Sequence, residues 1–308
     1  DFAITESGDD HEMMIANGGS VLNSAFASWV LGVFAGLASK LGEAALASEA
    51  RAQAKDLRLL VAKAWNGRWF HRAYAPGAAP VGDADCWLEV QPWAILCGAA
   101  GDARARALLD TIKNGHSADS PLGARVRWPS AKKSIGSGMP RGEGTADGIW
   151  YAINMTLIWA AARVSPEMAW DAWRRMGLAA HTSAYPEIWE GTLSGPDAWN
   201  APESRRPGRT WAIPPGEAPP GVPAAGAAAQ VYPVNNMHSH AQPLLAFLRL
   251  LGVEPTVRGT LAVGKGGRFD SRVFSLGRDG HGRMAAQGKV VLETAHKTVR
   301  GGPGKVKW

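Results

Sequence analysis

Cysteine is almost missing from this chain: Cys86 and Cys97 are the only two in 308 residues. That excludes a disulfide framework, and nothing argues for an oxidising compartment. Charged residues make up only 19% of the chain, and the formal charge of +6 is scattered rather than gathered. The densest basic stretch is the short tail holding Lys297, Arg300, Lys305 and Lys307. Without a basic stripe or a reader motif, nothing points to nucleic acid. Long uncharged apolar runs are also lacking. The nearest, Val21 to Ala38, is interrupted by Asn23, Ser24 and Ser28, so it is expected to be a core helix with no membrane contact. The glycine-rich stretch 259–267 is followed by neither a helix nor a Lys-Ser/Thr pair, so it is not a phosphate-cradling loop.

Tryptophan is abundant instead: 14 residues against seven Phe and four Tyr. Indole offers a large apolar face and one N–H, which suits surfaces that are half apolar and half wet, such as sugar rings. Hydrophobic residues amount to 46%, ample for a large core. Apolar residues recur at helical spacing over 20–38, and 43–64 is rich in Ala, Leu, Arg and Lys. Together they predict a helical hairpin. Further hairpins are expected at 86–99 with 103–114, and at 148–163 with 166–180, where Ser165-Pro166 supplies a cap and a first-turn proline. A last helix is expected from about 241 to 251, stopped by Gly252. Beyond Gly259 the segments TLAV, RVFSL and KVVLETA read as short strands.

The expected fold is therefore mainly α. It is a partial (α/α)6 toroid in residues 1–255, followed by a small β module in residues 256–308. Only about three and a half hairpins can be read, and the first residue is Asp rather than Met. The expectation is an N-terminally shortened ring.

The long loops 65–85, 115–147 and 181–236 hold most aromatic and ionisable residues, which suggests function. WNGRWFHRAY (65–74) is either a plug for a helix end or a binding platform built on Trp69 and Arg72. Glu89, Gln91 and Trp93 alternate polar and aromatic groups ahead of an apolar helix. They either hold sugar hydroxyls or cap that helix. His238 and His240 have no further ligand at metal spacing nearby, so no metal is expected, and a cleft-lining or capping role is. Glu187, Glu190 and Asp197 lie in another aromatic, turn-rich loop and are candidates for the base of a hydrolytic reaction.

In chain order, WNGRWFHRAY, EVQPWAILCGAAGDARARALL (89–109), SPLGARVRWPS (120–130), GTADGIWYAIN (144–154) and LRLLGVEP (248–255) resemble the barrel of glycoside hydrolase family 94. That family, within the six-hairpin glycosidases, holds cellobiose and chitobiose phosphorylases and the processing domain of cyclic β-1,2-glucan synthases. The resemblance implies inverting cleavage of a β-glycosidic bond in gluco-oligosaccharides. A carboxylic acid protonates the leaving oxygen while phosphate, or water in a hydrolase, attacks from the opposite face. It further implies no cofactor beyond inorganic phosphate as co-substrate, an oligosaccharide partner, a cytoplasmic location, and a site lined by Trp69, Arg72, Glu89, Gln91, Trp93, Asp147, Trp150, His238 and His240. A homodimer is left open.

The family's acid is the first Asp of an Asp-Trp-Asn-Asp stretch. Asp1 stands either there, followed by Phe2, or at the second Asp, with the acid upstream. Asp9, Asp10 and Glu12 read as a solvated acidic loop. Where the family places a phosphate-binding His, this chain has Ala152 and Asn154, and the late Thr-Gly-Thr segment is not recognisable. These departures keep two rivals open: a hydrolase on the same barrel, and a sugar-binding toroid without catalysis.

Overall fold

The computed structural model describes residues 16–129, 141–188, 197–210, 237–257, 260–263, 269–270, 274–276, 281–294 and 297–307. Asp1 and the acidic residues Asp9, Asp10 and Glu12 lie outside them, as does Glu190. His238 and His240 fall within a described helix, but their side chains are outside the description.

Three times the chain repeats one unit: a two-residue strand, an inner helix, an outer helix, and a loop returning to pair with the strand. In the first unit, β1 (Gly19–Ser20) leads into α1 (Val21–Lys40) and α2 (Ala44–Lys63), and β2 (Ala73–Tyr74) closes back on β1. The second runs through β3 (Cys86–Trp87), α3 (Val90–Leu96) and α4 (Gly101–Thr111), the last extended by a wider turn over Ile112–His116. Here β4 (Arg127–Trp128) closes on β3. A four-residue helix, α5 (Gly144–Asp147), precedes the third unit. That unit contains β5 (Ile149–Trp150), α6 (Tyr151–Ala162), α7 (Pro166–Arg175) and α8 (Leu178–Ala184), with β6 (Ala198–Trp199) pairing with β5. A last helix, α9 (Met237–Leu250), follows.

Local chemistry sets these boundaries. The Ser20 hydroxyl caps α1 by accepting from the Asn23 amide at 3.1 Å. Gly42, with φ +86°, provides the left-handed turn into α2 that a side chain would resist. Ser165 caps α7 and Pro166 occupies its first turn, as the sequence predicts. The mostly buried α6 is apolar on nearly every side, whereas α7 buries only Ala169 fully, so one is an inner rod and the other an outer one.

The inner helices contact one another in chain order: α1 with α3, α3 with α6, and α6 with α9. Each outer helix packs on its own inner partner. A continuous core runs through the layer from Val21 and Ala25 to Ala246 and Leu250. At its centre Trp29 and Trp93 each meet Trp159 edge to face and are tilted against one another, with Phe26 4.7 Å from Trp93. α1 is the exception to the pattern. Phe26, Val30, Val33, Phe34, Leu37 and Leu41 form an exposed apolar stripe along it. By length and composition alone α1 could also cross a membrane. In this structure it packs on α2 and α3, and Ser28 donates to the Ala54 carbonyl at 2.7 Å.

The structure divides the expected helix 166–180 into α7 and α8, the second reaching Ala184, and it differs again at the last helix and beyond. The last helix begins at Met237, so Pro243 sits inside it rather than at its start. Beyond it the three expected strands are part of eight among the described residues, which form two four-stranded sheets. Their first strand, Val253–Pro255, precedes the expected boundary at residue 256 and pairs with Leu261–Val263. Ala286, Leu292 and Val306 form a small core of their own. The sheets are fastened to the helices: the Trp159 indole donates to Glu254 at 2.9 Å, and Lys40 to the Val257 carbonyl at 3.0 Å.

Candidate functional site

The paired strands sit at the N-terminal ends of α1, α3 and α6, so one rim of the helical layer is tied by backbone hydrogen bonds. The Val21 amide donates to the Arg72 carbonyl at 3.1 Å, Leu88 to Val126 at 2.7 Å, and Tyr151 to Asp197 at 2.9 Å. The loops that the sequence leaves irregular are therefore fixed to the helices they precede. This rim collects seven of the candidate residues: six predicted to bind substrate and Asp197.

At the first corner stand Trp69, Arg72, Glu89 and Gln91. Trp69 is 1% exposed, and its indole N–H donates to the Gly82 carbonyl at 2.8 Å. Gln91 is fully buried: its amide oxygen accepts from Phe70 N at 3.0 Å, and its nitrogen donates to the Phe70 and Trp87 carbonyls, each at 2.9 Å. As placed, the Trp69 ring is sealed and the Gln91 amide is committed inward. Both residues hold the 65–74 loop against α3 rather than meet solvent.

Arg72 is buried as well, and its Nε donates to Glu89 Oε2 at 2.8 Å. Burial lowers the Arg72 pKa, opposed by the Glu89 charge and hydrogen bond. Glu89 keeps 18% of its side chain exposed, so this corner presents a carboxylate oriented from behind by a buried guanidinium.

The second corner holds Asp147 and Trp150. Asp147 pairs with Arg127 at 3.1 Å and also accepts from the Gly142 amide at 3.4 Å. Burial raises its pKa, and Arg127 works against that. The half-buried Trp150 donates its indole N–H to the Gly144 carbonyl at 2.8 Å. Asp197, at the foot of β6, is half-buried. Trp87 and Val126 join the two corners, with Trp150 and Ile153 packed against them. Trp87 donates to Asp85 at 3.2 Å, and Asp85 also meets Arg127 at 3.4 Å.

Trp93 is separate from both corners. It belongs to the aromatic centre of the layer, a turn further along α3. Glu187 lies at the end of the described part of its loop and has no ion pair among the described residues.

Sequence reasoning missed Asp85, Trp87, Arg127 and Glu143. Glu143 is 1% exposed, accepts from Ser204 at 2.7 Å and faces Arg206 at 3.4 Å. The available signal was the alternation in DADCW and VRW, two short paired strands whose tryptophans mark the register. Asn154, standing where the resemblance leads one to expect a phosphate-binding His, is fully buried. It accepts from Ala124 N at 2.8 Å and donates to the Ala124 and Trp150 carbonyls, each at 2.9 Å. No group of three or more metal-ligating side chains occurs among the described residues.

Residues 4–143 match the family model of the glycosyl hydrolase 94 superfamily, catalytic domain. Over those residues, fewer than half of the 308, the chain resembles that catalytic domain. The matched residues carry the first two repeated units and the Arg72–Glu89 corner. Asp1 precedes them, and Asp147 and Trp150 follow them. No curated protein matches the chain. A glycosyl hydrolase 94-like sequence on a mainly helical frame points to a glycoside phosphorylase or hydrolase.

Proposed function

We propose that this chain belongs to a carbohydrate-active enzyme that cleaves a β-glycosidic bond in gluco-oligosaccharides with inversion and passes the glycosyl group to inorganic phosphate. The family match over residues 4–143 carries the reading. The rim supports it, because buried Arg72 and Arg127 hold Glu89 and Asp147 beside tryptophans at one end of the inner helices. In this reading the substrate lies across that rim, above an (α/α)6 ring in residues 1–255. The β module, which begins with the strand Val253–Pro255, supports the ring from the other end. His238 and His240 line the same cleft, and Asp1 is the acid that protonates the leaving oxygen. No metal or organic cofactor takes part. Two unpaired cysteines suit a reducing compartment, and a cytoplasmic location goes with them.

One observation favours water as acceptor. Asn154 spends its amide on Ala124 and Trp150, leaving nothing at that position for a phosphate. An inverting hydrolase on the same frame is therefore the second reading.

The test is incubation of the purified protein with β-linked gluco-oligosaccharides, with and without inorganic phosphate, with products followed by NMR. Phosphate-dependent release of an α-sugar 1-phosphate is expected. Phosphate-independent release of reducing sugar replaces the first reading with the second. Saturable sugar binding without turnover, unchanged in Asp1→Asn, leaves a binding toroid.

A further inference from the structure

The rim leaves a second feature unexplained. At the opposite end of α3 and α6 a crevice of about 390 Å³ opens between α1 and α2. Arg51, Lys55, Arg58 and Arg163 line it, and no carboxylate does. Its apolar side is formed by Trp29, Val33 and Leu96.

Arg51, Lys55 and Arg58 are spaced i, i+4 and i+7 on α2, so three cations share one helix face. Like charges at that spacing repel and weaken a helix. Elsewhere in the structure buried arginines are paired with acids. Arg72 has Glu89, and Arg127 has Asp147 and Asp85. In the crevice only Arg163 has an acidic partner, Glu254 at 3.6 Å, and Arg51 reaches the Ser39 hydroxyl. Among the described residues neither Lys55 nor Arg58 has an ion-pair or hydrogen-bond partner.

One local feature opposes an anion: the C-terminal end of α3 points its last carbonyls this way. A helix end carries roughly half a negative charge, well below the positive charge of four cations. Two arginines and a lysine lining a space of this size supply the kind and number of donors that a phosphate group takes. The Trp29 indole beside them offers a face for a ring.

We propose that this crevice binds a small phosphate monoester, with the phosphate held by Arg51, Lys55 and Arg58 and the organic part resting on Trp29 and Val33. The site is distinct from the rim, since it lies at the other end of the inner helices, and it does not depend on the proposed reaction.

Calorimetric titration with phenyl phosphate, inorganic phosphate and phenol separates the contributions. The purified protein is compared with a Lys55→Ala/Arg58→Ala variant, whose exposed side chains can be removed without touching the core. Phenyl phosphate is expected to bind saturably and about tenfold more tightly than inorganic phosphate, with phenol not binding. The double variant should weaken both phosphates by about tenfold or more, and rising salt should do the same. Circular dichroism should show the variant folded as the parent is. Binding that the double variant leaves unchanged would overturn the proposal, because the anion then sits elsewhere, at the rim for example. So would the lack of any saturable binding, or equal affinity for chloride, sulfate and phosphate.

Discussion

At the scale of single residues, burial decides what each polar group can do. His116 has no exposed surface, and its Nδ1 lies 2.8 Å from the Arg125 carbonyl. A carbonyl only accepts, so Nδ1 carries the proton, and Nε2 has no partner among the described residues. Burial accordingly drives the His116 pKa down to about 4. The folded pKa lies below the unfolded value near 6.5, so the unfolded chain takes up the proton first as the medium is acidified. The contribution to stability is complete above about pH 6.5 and is lost as pH falls toward 4, for a total of about 3 kcal/mol. An Asn at this position keeps a donor for Arg125 and does not titrate. Urea unfolding of His116→Asn and the parent at several pH values should therefore show their difference shrinking from neutral pH to about 4. A gap that stays constant would mean that His116 is not titrating as its surroundings dictate.

At the scale of elements, the paired strands and buried amides make the rim. Gln91 satisfies three backbone groups at once, on Phe70 and Trp87, and so joins the first loop to the start of α3. Replacing it with Leu preserves volume but strands all three, each at a cost of about 1–3 kcal/mol. Gln91→Leu is expected to destabilise the protein by at least about 3 kcal/mol in urea unfolding. A loss below about 1 kcal/mol would show that the loop finds other partners.

The helices that form this frame were legible in the sequence because apolar spacing and caps are local signals. Ser165-Pro166 marks a helix start in the structure as it does in the sequence. The rim was legible only in part. Arg72 with Glu89, and Asp147 near Trp150, could be picked out by residue type, but whether a side chain faces inward is fixed by contacts distant in sequence. Trp69 looks like an open platform until Gly82 closes over its indole. Arg127 reads as one more scattered cation until Asp147 comes within 3.1 Å from twenty residues away. The two four-stranded sheets were under-read because their strands are two to five residues long and broken by glycine.

At the scale of the whole molecule, the described inner helices pack one against the next in chain order, and the first of them carries an exposed apolar face. Phe26, Val30, Val33, Phe34, Leu37 and Leu41 form a contiguous apolar strip of a kind that monomers rarely leave in water. The chain is expected to self-associate as its concentration rises. Phe34→Lys with Leu37→Lys should suppress that in sedimentation velocity, while shifting unfolding free energy by no more than about 0.5 kcal/mol, since neither side chain is buried. Unaltered association would place the contact on another surface.

The threefold repeat of strand, two helices and returning strand has an evolutionary corollary. Every loop is clipped to the base of its own unit, so lengthening or rewriting one leaves the next clip intact. Such a scaffold can acquire a new ligand preference one loop at a time, by changing the letters between two fixed staples instead of redrawing the frame.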